Sequence, residues 1–256
     1  MGFIDTHAHI DFPEYQENFP SFLEELKENH IEKVIIPGVN IEDTPRILDL
    51  INKHDMLFGA IGVHPSEAQK WNENSLNYLL SLKDNKKIVA IGEIGLDYYW
   101  DKSFIELQQN IFRQQIELAK ELKLPIIIHD REAHADTFKI LKETNAKETG
   151  VLMHCFSGST ELMKECLKEE YYIALGGTVT FKNAVKPKEV AKEIPLDFLM
   201  LETDSPYMTP VPFRGQTNSP KYLNFVAQEI ANLKNIDIEE VINKTTQNAK
   251  SFFKLN

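Results

Sequence analysis

Short apolar, β-branched runs recur along the chain, each followed by a longer stretch whose apolar residues fall three and four apart. The strand-like runs are FIDTHA near residue 3, KVIIPGV from Lys33, LFGAIGV from Leu57, KIVAIGEIG from Lys87, LPIIIHD from Leu124, GVLMHCF from Gly150, YYIALGG from Tyr171 and DFLMLET from Asp197. Between them lie helical patterns such as FPSFLEELKENH, SLNYLLSLK, SFIELQQNIFRQQIELAKELK, STELMKECLKEE and YLNFVAQEIANL. Runs that are apolar nearly throughout suit parallel strands covered on both faces. Eight such strand–helix repeats predict an α/β protein with one (β/α)8 TIM barrel, a single domain over residues 1–256. An open doubly wound sheet is the competing architecture, but it more often carries a glycine-rich phosphate loop after its first strand, and none is present. The final segment, IEEVINKTTQNAKSFFKL, predicts a closing helix packed on the outside.

Composition narrows the class. With 42% hydrophobic and 26% charged residues the chain has the balance of a globular protein. No apolar run approaches the ~18 residues of a membrane span, and no basic segment leads into an apolar one at the start, so a cytoplasmic protein without membrane contact is expected. Cys155 and Cys166 form no CxxC pair, as suits a reducing compartment. A net charge of −11 opposes a broad grip on nucleic acid, which rests on lysine and arginine displacing phosphate counterions. It leaves room for an enzyme that draws one phosphodiester end into a cation-filled site.

Metal-capable side chains gather at the C-terminal ends of the predicted strands. His7 and His9 end the first, and in an extended strand residues two apart share a face. His64 follows the third, Glu93 ends the fourth, His129 the fifth and His154 the sixth, and Asp204 follows the eighth. In a (β/α)8 barrel these ends open onto the face that carries the active site. A single histidine there is more often a hydrogen-bonded core residue than a ligand; so many on one rim are harder to dismiss. Four imidazoles (His7, His9, His129, His154) and two carboxylates (Glu93, Asp204) suit a pair of divalent ions, with Glu93 able to bridge them through both oxygens. Two ions about 3.5 to 4 Å apart would lower the pKa of a water and clamp the oxygens of a phosphoester displacement.

The segments IDTHAHI, AIGVHP, AIGEIGLDYY, QQNIFRQQIELAKELKLPIIIHDREA, HCFSGS, LGGTVTFKNA, LETDSPYMTP and TTQNAKSFF resemble, in order, the signatures of the TatD family of metal-dependent deoxyribonucleases, from residue 3 to about residue 253. The resemblance implies a barrel of the amidohydrolase kind with two divalent ions, whether Mg²⁺, Mn²⁺ or Zn²⁺. His7 and His9 match the first-strand pair, Glu93 the carboxylate shared by both ions, and His129 and His154 the ligands of the second. Asp204 matches the aspartate that binds metal and acts as general base, and with Glu93 it forms the catalytic pair. His64 matches a position that contacts the substrate phosphate, or is a strand-end histidine fixed by Pro65. Arg214, in the FRG turn after the eighth strand, is expected to meet a phosphate or to be a solvated loop arginine, and Glu202, two before Asp204, to face the same rim and hold a ligand histidine from behind. Asp5 is expected to anchor the barrel mouth, and Tyr98 and Tyr207 to stack on a base or cover the rim. The implied substrate is nucleic acid, single-stranded DNA trimmed from an end, with no obligate protein partner.

The chain also departs from the family pattern. After FRG it reads QTNSP, from Gln216 to Pro220, where a basic pair and NEP are usual. Asp130 stands where a small polar residue is usual. These differences leave the ligand set whole and bear on the substrate. Two other functions fit the same barrel: an ester or amide hydrolase, such as one removing D-amino acids from charged tRNA, and a non-catalytic scaffold that keeps its metals for stability.

Overall fold

The computed structural model describes residues 2–255. Eight strands lie in chain order in one sheet: β1 (Phe3–Asp5), β2 (Ile31–Pro37), β3 (Leu57–Ile61), β4 (Ile88–Asp97), β5 (Ile126–Arg131), β6 (Val151–Met153), β7 (Tyr172–Leu175) and β8 (Leu199–Leu201). Pairing is parallel between β1 and β2, along β3 to β6, and between β7 and β8. The sheet closes on itself beyond β8. The Thr6 N–H donates to Leu201 O at 3.1 Å, the His9 N–H donates to Ser205 O at 2.8 Å, and Ala8 and Ser205 form a parallel bridge. With a helix after nearly every strand, this is the (β/α)8 barrel that the hydrophobic pattern predicts.

Several strands are shorter than the apolar runs that announce them. β1 stops at Asp5 and β6 at Met153, so His7, His9 and His154 lie just past the regular ladder instead of ending it. By backbone proximity the chain forms two compact units. One comprises the chain up to Ile36, Cys155–Lys168 and the chain from Tyr172 onward, and the other comprises Pro37–His154 and Glu169–Tyr171.

In the second unit β4 is buried along its whole length. The helix Ile105–Leu122 buries Ile111, Phe112, Ile116 and Ala119 on one face. Two glutamines seven apart, two helical turns, share that buried face. Gln115 Oε1 accepts the Val63 N–H at 2.7 Å while its Nε2 donates to Val63 O at 3.0 Å. Gln108 does the same for Asp97, at 3.0 and 3.1 Å. One helix thus pins the backbone where β3 leads to His64 and where β4 ends. β4 and β5 also meet closely: Gly95 pairs with His129, and a Cβ at Gly95, whose φ is +143°, would lie 2.0 Å from His129 O. Only glycine fits there.

In the first unit the closing helix Ile238–Phe252 packs as expected. Asn248 donates to Leu196 O and Leu199 O at 2.7 and 2.8 Å, and Thr246 donates to Gly2 O at 2.8 Å. No helix among the described residues is long and apolar enough to cross a membrane.

Candidate metal centre

The first unit carries one cluster of donors. Asp5, fully buried, accepts the His7 N–H at 3.1 Å and the Thr203 N–H at 3.0 Å on one oxygen, and the Thr203 hydroxyl at 2.5 Å on the other. This is the anchoring role the sequence suggests. It ties the turn after β1 to the turn after β8, and the Asp204 N–H completes the tie by donating to His7 O at 2.9 Å. Burial pushes the Asp5 carboxyl up to about 8 despite its hydrogen bonds. Asp204 itself sits in the left-handed region at φ 54°, which sets its carboxylate beside the first histidines. Its Oδ1 lies 3.9 Å from His7 Nε2 and 3.7 Å from His9 Nε2, and one donor atom from each of the three falls within 4.8 Å of the others. His7 is buried, His9 stacks on Phe12 with ring centres 4.9 Å apart, and Asp204 keeps some solvent exposure.

The second unit carries the other cluster, built around one oxygen. Glu93 Oε1 lies 2.6 Å from His129 Nδ1, 3.6 Å from His64 Nε2 and 3.6 Å from His154 Nε2. The other nitrogen of His129, Nε2, is 3.0 Å from Asp97 Oδ2. Burial alone would lower the His129 pKa, but the hydrogen bonds to Asp97 and Glu93 outweigh it and lift it to about 9. Burial likewise opposes ionisation of Asp97, and the bonds from His129 and the Tyr99 N–H overcome it, holding this carboxyl below its usual range. His64, expected to touch substrate, is among the metal-capable donors here; its Nδ1 caps the following turn by accepting the Ser66 N–H at 3.1 Å.

Imidazole nitrogens and carboxylate oxygens converging within 4.8 Å, in a buried setting, are the donor set of a divalent cation, so the residues present fit such a group.

The remaining expected residues are placed as follows. Glu202 is wholly buried; its Oε1 accepts the Cys155 N–H at 2.7 Å, and a donor atom lies within 4.8 Å of one from His7. Arg214 is exposed, donates to Thr209 O at 3.0 Å and lies over the Phe181 ring at 3.9 Å. Tyr98 does not offer its ring to a base: it is buried, with its hydroxyl 2.9 Å from Asp136 Oδ2. Tyr207 is half-exposed, 6.4 Å from the His9 ring. Asp130, a departure from the family pattern, is held by His134 at 2.8 Å. In the QTNSP segment Asn218 is buried and its amide donates to Thr203 O and Tyr207 O at 2.8 and 2.5 Å, bracing the turn that carries Asp204.

Asp97, Gln108, Gln115 and Asn218 do work in the structure without being among the expected site residues. The signal for the glutamines is their seven-residue spacing on an otherwise apolar helix face; for Asp97 it is the last position of GEIGLD.

The sequence profile of TatD related DNases matches residues 4–254. This chain belongs to the TatD family. It is 47% identical over 253 residues to the uncharacterised metal-dependent hydrolase YabD of Bacillus subtilis, covering 99% of each chain. Among solved structures it is similar to YjjV, a TatD homolog from Escherichia coli K12, with a TM-score of 0.94, 34% identity and coverage of 99% of this chain and 98% of that one. A TatD family hydrolase from Entamoeba histolytica follows the same fold with a TM-score of 0.88, 27% identity and 98% coverage of each. The TatD-family chain described here is accordingly a member of a family of metal-dependent hydrolases.

Proposed function

We propose that this protein is a divalent-metal-dependent deoxyribonuclease, a phosphodiester hydrolase that trims single-stranded DNA from an end, with residues 1–256 working as one hydrolase domain. The observation that carries it is the Glu93 oxygen faced by three imidazoles, a donor arrangement suited to a cation. His7, His9 and Asp204 would hold one ion, and His129 and His154 with Glu93 the second. When bound, Mg²⁺, Mn²⁺ or Zn²⁺ would supply Lewis-acid charge to a phosphate and make water a stronger acid.

The chain's own residues do the rest. Asp204, partly exposed and fixed by its N–H bond to His7 O, takes a proton from the attacking water. His64, whose Nδ1 is tied to Ser66, presents Nε2 as a donor to an anionic oxygen. Asp97 keeps His129 in one orientation, and Glu202 acts from behind the ligands through Cys155. Arg214, held over Phe181, is placed to meet a phosphate farther out. Two cysteines, Cys155 and Cys166, with no CxxC spacing suit a cytoplasmic address.

A second function rests on a specific feature: QTNSP lacks the basic pair expected along a DNA path, which leaves room for an acyl ester such as that of a D-aminoacyl-tRNA. The deciding experiment presents chelator-stripped protein with a single-stranded oligonucleotide and with D-aminoacyl-tRNA, restoring one metal at a time. Metal-dependent shortening of the oligonucleotide supports the nuclease; deacylation with the oligonucleotide untouched replaces it.

A further inference from the structure

Trp100 is 73% exposed and Tyr99 48%, and the two rings meet edge to face with centres 4.8 Å apart. Large aromatics left in water side by side form the kind of contiguous exposed apolar surface that can serve binding. The Arg131 guanidinium lies 3.9 Å from the centre of the Tyr99 ring and 5.4 Å from that of Trp100. Among the described residues no carboxylate forms an ion pair with Arg131, whereas Arg46 pairs with Asp43 and Arg113 with Glu143. An unneutralised cation over exposed rings is a notable feature in a chain of net charge −11.

The position ties this cluster to the candidate metal site. Asp97 and Arg131 are partners in the register of β4 and β5 and end those strands. Asp97 uses one oxygen to hold His129 and the other to accept the Tyr99 N–H at 2.9 Å. A cleft of about 120 Å³ beside Trp100 is lined by Pro65, Ser66, Asp97, Trp100, Phe104 and Gln108, so its wall includes the carboxylate that orients a candidate ligand.

We propose that Tyr99, Trp100 and Arg131 form a platform on which a base of single-stranded nucleic acid stacks, with Arg131 meeting an adjacent phosphate. Stacking on an aromatic face tolerates any base and needs that base unpaired, and an arginine beside the rings adds both cation–π contact and a phosphate partner. The acidic wall of the cleft, Asp97 and Asp101, suits the uncharged edge of a base and repels a phosphate. This inference rests on the nuclease function proposed above.

The test compares two oligonucleotides of equal length, oligothymidylate and one built of abasic residues, as substrates of the metal-loaded protein. Wild type is expected to show a KM for the abasic strand about 10-fold higher, since one stacked base is worth roughly that or more. Trp100→Ala should lose this preference and Trp100→Phe should retain most of it. In a Trp71→Phe background Trp100 is the only indole, and oligothymidylate should quench its emission. A Trp100→Ala protein that cuts the strand with the wild-type preference, and an unquenched Trp100, would overturn the platform while leaving the nuclease standing. A metal-loaded wild type that cuts neither strand would overturn both.

Discussion

Asp97 Oδ2 lies 3.0 Å from His129 Nε2, and the carboxylate is itself fixed by the Tyr99 N–H at 2.9 Å on its other oxygen. The ring of His129 therefore has one orientation, with Nδ1 directed at Glu93. A histidine held in this way is a stronger and better-aimed donor than a free one. Replacing Asp97 with Asn removes the charge and keeps the shape. Asp97→Asn is expected to weaken binding of one divalent ion 10- to 100-fold, measured by titrating Mn²⁺ into stripped protein. An unchanged affinity would show that His129 needs no such partner.

Protonation makes a second prediction. The folded value of His129, about 9, lies above its ordinary 6.5 because the bonds to Asp97 and Glu93 outweigh the opposing effect of burial. A raised value means that the metal-free protein gains stability from this group, fully below about pH 6.5 and progressively lost as pH rises through about 9. Thermal unfolding of stripped protein should therefore shift downward across that window. A cation displaces the same proton, so binding at pH 7.5 should release close to one proton. Calorimetry in two buffers of different ionisation enthalpy reads this directly, and equal heats in both would refute it.

The helix glutamines predict a cost in stability. Gln115→Leu leaves the buried Val63 N–H and C=O without their side-chain partners. A loss of about 2 to 4 kcal/mol in denaturant unfolding is expected, with a weaker KM because His64 follows Val63. Gln114→Leu on the neighbouring position, bonded to Trp71 nearer the surface, should cost less than half as much. Equal costs would contradict the clamp.

Much of the barrel is legible because parallel strands buried on both faces read as continuous apolar runs, and β4, buried at all ten positions, is the clearest case. Strand ends are less so. FIDTHA reads as one strand, yet the ladder stops at Asp5, since the backbone beyond it bonds to the turn around Asp204, a partner some 200 positions away that no local pattern announces. The helix near SLNYLLSLK begins earlier than its apolar residues suggest because Asn72 caps it and Ser75 reciprocates. Candidate ligands stand out by type and spacing. Their supports do not, because Asp97 or Asn218 becomes meaningful only when the fold brings its partner alongside. Tyr98 and Trp100 illustrate the limit: two aromatics two apart, one buried on Asp136 and the other in water, differ in nothing the sequence displays.

The proposed nuclease takes Asp204 as its base and divalent ions as its cofactor. The most direct measurement follows an end-labelled single-stranded oligonucleotide with chelator-stripped protein, adding back Mg²⁺, Mn²⁺ or Zn²⁺, with Asp204→Asn and Glu93→Gln in parallel. A ladder of shortened products that requires metal and falls at least about 100-fold in both variants is the predicted result. Protein that binds its full complement of metal and leaves the strand intact would contradict it.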